Sequence, residues 1–157
     1  MGDRLIVAGG VASVEQWVHF EREWKAALAP LGTEIFHAVD FDQRSPPFDQ
    51  LDEKDARHLY DLLIGVICRR VFQTISCAVN LEEVNKLNRK FLFNEAFGFP
   101  YPTCARSCIG NVEEWAKKNE IPIDGVEFVF EDGAKNKGQI LWIAERDRLS
   151  TPIEHPY

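Results

Sequence analysis

Two short apolar runs, far apart in the chain, each end abruptly in acidic residues. They are Ile35-Phe36-His37-Ala38-Val39-Asp40-Phe41-Asp42 and Phe128-Val129-Phe130-Glu131-Asp132-Gly133. Runs of this length between turn signals predict buried strands, and in α/β folds a strand's end is where polar side chains converge on a ligand. A carboxylate placed there holds a divalent cation or acts as a base. The two runs therefore constrain both the expected sheet and the expected location of any chemistry.

Around them the hydrophobic period alternates. Residues 5–11 read as a strand that Gly9-Gly10 weakens or bulges. Ser13 then caps a helix, with Gln16 completing an S-x-x-Q capping box. Trp17, Phe20, Trp24, Ala27 and Leu28 form that helix's apolar stripe, and Pro30 and Gly32 end it. A strand over 33–37 leads into an Asp- and Pro-rich loop over 38–51. A long helix over 53–72, a strand over 74–79 and a helix over 81–96 follow. Pro102 or Thr103 opens the next helix, which runs to about 119, and a strand occupies 124–131. A last helix begins near residue 140, and the tail from 150 frays. The order β-α-β-α-β-α-α-β-α predicts a single α/β domain over residues 1–157. Strands are few for so many helices, which implies that part of the sheet is missing or comes from another chain.

Composition narrows the function classes. The 157 residues suffice for one sizeable core, and a 45% hydrophobic share with 11 Phe and 4 Trp excludes wholesale disorder. No apolar run approaches the ~20 residues that span a bilayer. The start, Met1-Gly2-Asp3-Arg4, has no basic or apolar leader, so the expected location is cytoplasmic, with no membrane partner. A net charge of −7 argues against nucleic-acid binding by bulk phosphate neutralisation. It leaves room for a local site, with Arg69-Arg70, Lys86, Arg89, Lys90, Lys117-Lys118, Lys135 and Lys137 as scattered cations. Cys104 and Cys108 are four apart and share a helix face, but they lack a second ligand pair. Together with Cys68 and Cys77 they are expected to be free, buried thiols.

His37, Asp40 and Asp42 form the first candidate constellation. They either bind Mg2+ and position a water, or satisfy loop amides in Asx turns; spacing alone favours the second. Glu131 and Asp132 form the other, beside a Gly-flanked turn carrying Lys135 and Lys137. That suits a phosphate and metal site, and it equally suits a solvated β-turn. Tyr101, Arg106 and Trp115 lie on or near one helix, where packing competes with ligand contact.

Several of these segments, in order, resemble one family. The run Val7-Ala8-Gly9-Gly10-Val11-Ala12-Ser13, then Glu15-Gln16-Trp17, Phe20-Glu21-Arg22-Glu23-Trp24 and Phe36-His37 with Asp40 carry the likeness. So do Pro100-Tyr101, Cys104, Cys108, Trp115, Phe130-Glu131-Asp132-Gly133 and Lys137-Gly138. The chain is similar over nearly its whole length to a large bacterial family known as domain of unknown function 3800. That resemblance implies a ribonuclease H-like mixed sheet with flanking helices. It further implies a metal-dependent nuclease-like activity on phosphodiesters, with Mg2+ or Mn2+ as cofactor. Asp40 and Glu131 would be catalytic metal ligands, His37 would orient water, and Lys137 would contact phosphate.

The family opens with an Asp-Glu-Ser-Gly strand and closes with a helix containing Gln-Ala-Ala-Asp. This chain has neither, and Ala134 stands where the family often has Asp. The resemblance thus describes a core portion incomplete at both ends, whose nuclease activity is impaired or lost. The alternative is a non-catalytic interaction module. Without an opening partner strand, the apolar, uncharged run from Leu5 onward has an open edge, which recruits a second copy or a strand-donating protein.

Overall fold

The computed structural model describes residues 3–130 and Gly138. Side-chain caps start several of its helices. Ser13 Oγ accepts from the Gln16 N–H at 3.3 Å and opens α1, Val14–Leu28. The reciprocal half of the expected capping box is replaced, because the Gln16 side-chain oxygen accepts from Arg70 instead, at 3.2 Å. Pro30 falls in the 3-10 turn Ala29–Leu31, and Gly32, at φ 67°, ends the segment in the left-handed region. A five-residue helix α2, Ala38–Asp42, and a 3-10 turn, Phe48–Gln50, precede α3. Asp52 caps α3, Glu53–Arg70, by accepting from the Asp55 N–H at 2.8 Å.

Two strands form, β1 over Arg4–Val11 and β2 over Gln73–Asn80, paired in one two-stranded sheet. The Asp3 carbonyl accepts from the Leu81 N–H at 2.9 Å, and the Val11 carbonyl from the Phe72 N–H at 2.8 Å. The start of one strand thus meets the end of the other, and the pair is antiparallel. β1 runs unbroken through Gly9-Gly10. Gly10 is required for space, since a Cβ there would come 2.8 Å from Val71 Cγ1.

Asn80 then accepts from the Glu82 and Glu83 amides to cap α4, Leu81–Phe91. The expected single helix over 81–96 breaks at Leu92, whose φ is 52°, and resumes as α5, Phe93–Phe97. The Asn88 side chain accepts from the Asn94 N–H at 2.7 Å across that break, giving the backbone an alternative to the helical ladder. α6, Pro100–Lys118, carries Pro at its first turn, where a missing N–H costs nothing.

By its internal contacts the chain divides after Gly9 and after Gln73. Gly10–Gln73 forms one unit. Its core is Leu28, Phe48, Leu59 and Leu63, with Trp24, Phe36 and Phe41 packed on it. The other unit joins the chain's start, through Gly9, to the part from Thr74 onward. Its core is Ala105, Ile109 and Phe128, flanked by Tyr101, Val112, Val126 and Phe130.

This architecture corrects the expected α/β class and its ribonuclease H-like mixed sheet. The described residues are mostly helical and carry one two-stranded sheet. Residues 33–37 contain no strand. Ile35 and Val39 are exposed, while Phe36 and Phe41 turn inward onto Phe48, with ring centroids 5.4 and 5.5 Å away. The run was apolar because it feeds an aromatic cluster. The expected strand over 124–131 is, as far as it is described, a 3-10 turn at Ile123–Gly125 and an isolated bridge at Val129. The helix expected from 140 and the tail lie outside the described residues. No described helix is long and apolar enough to cross a membrane.

In the Gly10–Gln73 unit, Glu23 ties α1 to α3. Its carboxylate accepts from Arg69 Nη2 and from Arg70 Nε, each at 3.0 Å, and pairs with Arg70 Nη2 as well. Hydrogen bonds from Arg70 and then Arg69 hold the Glu23 carboxyl below its ordinary value. A depressed folded pKa contributes stability above the unfolded value and loses it as pH falls through the folded one. Glu23→Gln is therefore expected to lower Tm at neutral pH by a few °C at most, as a solvent-accessible pair should. The gap from wild type should close in acid. Thermal melts across that range check it; a gap independent of pH would assign the loss to packing.

Candidate functional site

His37 sits at the N-cap of α2 with extended backbone, φ −94° and ψ 113°, and its side chain is exposed. Asp40 lies in the first turn of α2, half-buried, and its carbonyl accepts from the Ser45 N–H at 2.8 Å. Asp42, the last residue of α2, is exposed. These residues run from the N-cap to the last position of a short helix and are not at the rim of a sheet. Glu131, Asp132 and Lys137 lie outside the described residues, so their place relative to Asp40 is not part of this description.

Among the described residues no group of three or more His, Cys, Asp or Glu converges to hold a metal ion. Mg2+ and Mn2+ are hard cations that need several oxygen ligands at once. The expectation of a Mg2+ or Mn2+ cofactor is corrected accordingly. With it goes the metal-dependent nuclease reading, which also required a sheet that the fold does not contain.

Many of the scattered cations are engaged with carboxylates. Arg69 and Arg70 face Glu23, Lys86 bridges Glu82 and Glu83, and Lys118 pairs with Glu114. Hydrogen bonds that Lys86 donates to Glu83 and then Glu82 raise its pKa, and Lys118 lowers that of Glu114. Lys90 stands 5.0 Å from the ring centre of Phe91. Engaged cations of this kind form solvated helix faces.

Two features remain that present unspent chemistry. The first is β1. Leu5 and Val7 are half-buried, whereas Ile6 is 64% exposed and Ala8 is exposed. Both bonds at the ends of the strand use odd-numbered residues, Asp3 and Val11, on the side of β2. By the alternation of an antiparallel ladder, the backbone groups of Arg4, Ile6 and Ala8 point along the opposite edge. Among the described residues β2 is the one strand in the sheet with β1.

The second is a group of thiols. All four cysteines are free; Cys104 is buried, Cys77 and Cys108 are half-buried, and Cys68 is exposed, contrary to its expected burial. Cys77 had no visible partner in sequence, yet its thiol is near enough to Cys104 to help raise that thiol's pKa. The available signal was its inward register on β2, opposite a helix whose C-x3-C pair shares one face.

Comparison of the chain with protein-family models, with curated proteins and with solved structures finds no match. The likeness to domain of unknown function 3800 is corrected on both counts, by the absence of a matching family model and by the helical fold.

Proposed function

We propose that this chain is a protein-interaction module that pairs with a second copy of itself along the outer edge of β1. The observation that carries the reading is the strand's own composition at that edge. From Leu5 to Val11 it has no charge, proline or other device that ordinarily blunts an edge. A two-stranded sheet is also marginal by itself, so added strands stabilise it. A second β1 fits because Arg4 is the strand's one charge. In the antiparallel self-pairing that sets Arg4 opposite Ala8, Ile6 falls opposite its counterpart and no like charges meet. Backbone hydrogen bonds would supply affinity, and Ile6 would pack on its counterpart. The nucleic-acid partner draws no support from cations that already face carboxylates.

Sizing chromatography with light scattering over a range of concentrations tests this. The expected result is a concentration-dependent dimer in which the Ile6 and Ala8 amides exchange more slowly than in dilute protein. Ile6→Lys should weaken self-association by at least about tenfold, roughly 1.4 kcal/mol. A monomer at every concentration, which also fails to bind a peptide of the β1 sequence, would refute the reading.

A further inference from the structure

Counted from the Asp3–Leu81 end, Val7 falls opposite Cys77 on the half-buried face of β2, the Val11–Phe72 end being offset by one residue. Cys108, on α6, donates from Sγ to the Val7 carbonyl at 3.6 Å. That contact sets α6 against the sheet at the Val7–Cys77 pair. Cys104 lies one turn before Cys108 on the same helix face, 0% exposed, in the same unit. The Cys77 thiol lies close enough to disfavour the Cys104 thiolate. Three thiols from two elements thus lie on the facing sides of α6 and the sheet, and among the described residues no three of them converge to hold a metal ion.

We propose that Cys77 and Cys104 form an oxidisable dithiol that closes to a disulfide on exposure to hydrogen peroxide. Cys77 is the half-buried member and meets the oxidant first. Its thiolate attacks one peroxide oxygen and the O–O bond breaks. Hydroxide leaves, takes up a proton and becomes water, and Cys77 is left as sulfenic acid. The Cys104 sulfur then attacks the Cys77 sulfur, the S–O bond breaks, and a second water leaves with the Cys104 proton. In sum, two thiols and one peroxide give one disulfide and two waters; the two sulfurs are oxidised and the peroxide oxygens reduced.

Cys104 and Cys108 do not substitute for this pair. Their Cβ bonds run nearly parallel on consecutive turns of one helix, which does not suit a disulfide's dihedral preference. Burial, and next the Cys77 thiol, push the Cys104 thiol up to about 12, so it is a poor first nucleophile and waits as the resolving partner. Burial raises the Cys108 thiol as well. The closed bridge would lock α6 to β2.

The test is peptide mapping of the intact wild-type chain after a pulse of hydrogen peroxide, so that no variant needs to fold. The expected product has lost two hydrogens, carries a Cys77–Cys104 cross-link, melts at a higher Tm and returns to the starting mass with dithiothreitol. Cys108→Ser should leave the cross-link intact. In Cys104→Ser, Cys77 should be captured by a sulfenic-acid reagent, which reports the first step separately. Independent over-oxidation of single cysteines without a cross-link would overturn the proposal. So would a cross-link that joins Cys77 to Cys108 in the wild type.

Discussion

Phe48→Ala is expected to destabilise the Gly10–Gln73 unit by about 3–5 kcal/mol. Phe48 is 1% exposed and shares its core with Leu28, Leu59 and Leu63. It also holds a ring cluster together, with Phe36 at 5.4 Å and Phe41 at 5.5 Å between centroids. Removing it loses the transfer energy of the ring and leaves a void. The remaining rings can refill that void only partly, because Phe36 also stands edge-on to Trp24, at 6.2 Å. Small domains have total stabilities of about 5–15 kcal/mol, so this one change takes a large fraction. Urea denaturation followed by circular dichroism measures it, and hydrogen exchange across α3 localises it. Phe48→Leu, which restores most of the volume, should cost about 1.5 kcal/mol or less. If Phe48→Ala cost no more than Phe48→Leu, the cluster would not be the core of this unit.

Phe48 also shows where the sequence was readable and where it misled. The helices at 14–28 and 53–70 and the strands at 4–11 and 73–80 were legible from their hydrophobic period, with the cap at Ser13 and the breakers Pro30 and Gly32 bounding the first helix. Ser13 accepts a backbone N–H as its local sequence suggests, and the structure adds Asp52 and Asn80 as further caps. The run at 35–41 was not legible. Its apolar residues serve packing at irregular spacing, with Phe36 and Phe41 inward and Ile35 and Val39 outward. A short apolar run does not by itself distinguish a buried strand from a segment that drops two rings into a core. The break at Leu92 was hidden for another reason. No Gly or Pro marks it, and a bond from the Asn94 amide to the Asn88 side chain supports a left-handed leucine.

The expected site inherited the first of these errors. Asp40 was a candidate because it seemed to end a strand, and once 33–37 is irregular and Asp40 starts a helical turn, that reason is gone. The thiols went the other way. C-x3-C on one helix face was visible, but its encounter with Cys77 depends on strand register and on α6 lying over Val7, which are tertiary facts. The first strand's lack of edge protection was legible, since that is written in charges and prolines and β1 has neither between Leu5 and Val11.

Ile109→Ala should cost about 2–5 kcal/mol in the other unit, with consequences that reach beyond stability. Ile109 is 1% exposed and completes a small buried cluster with Ala105 and Phe128. Around Phe128 the chain has little regular structure, only the 3-10 turn before it and the bridge at Val129. Side-chain contact with α6 therefore does much of the work of holding Val126, Phe128 and Phe130 in place. Amide exchange at 126–130 should rise more than exchange at the centre of α6. Cys104 and Ala105 precede Ile109 on the packed side of the same helix, so a loosened α6 should also expose Cys104. Its reaction with a thiol reagent should accelerate in step with that exchange, while Cys68, already exposed, keeps its rate. Equal acceleration at both cysteines would instead mean global unfolding, and unchanged exchange at 126–130 would show that Ile109 does not anchor Phe128.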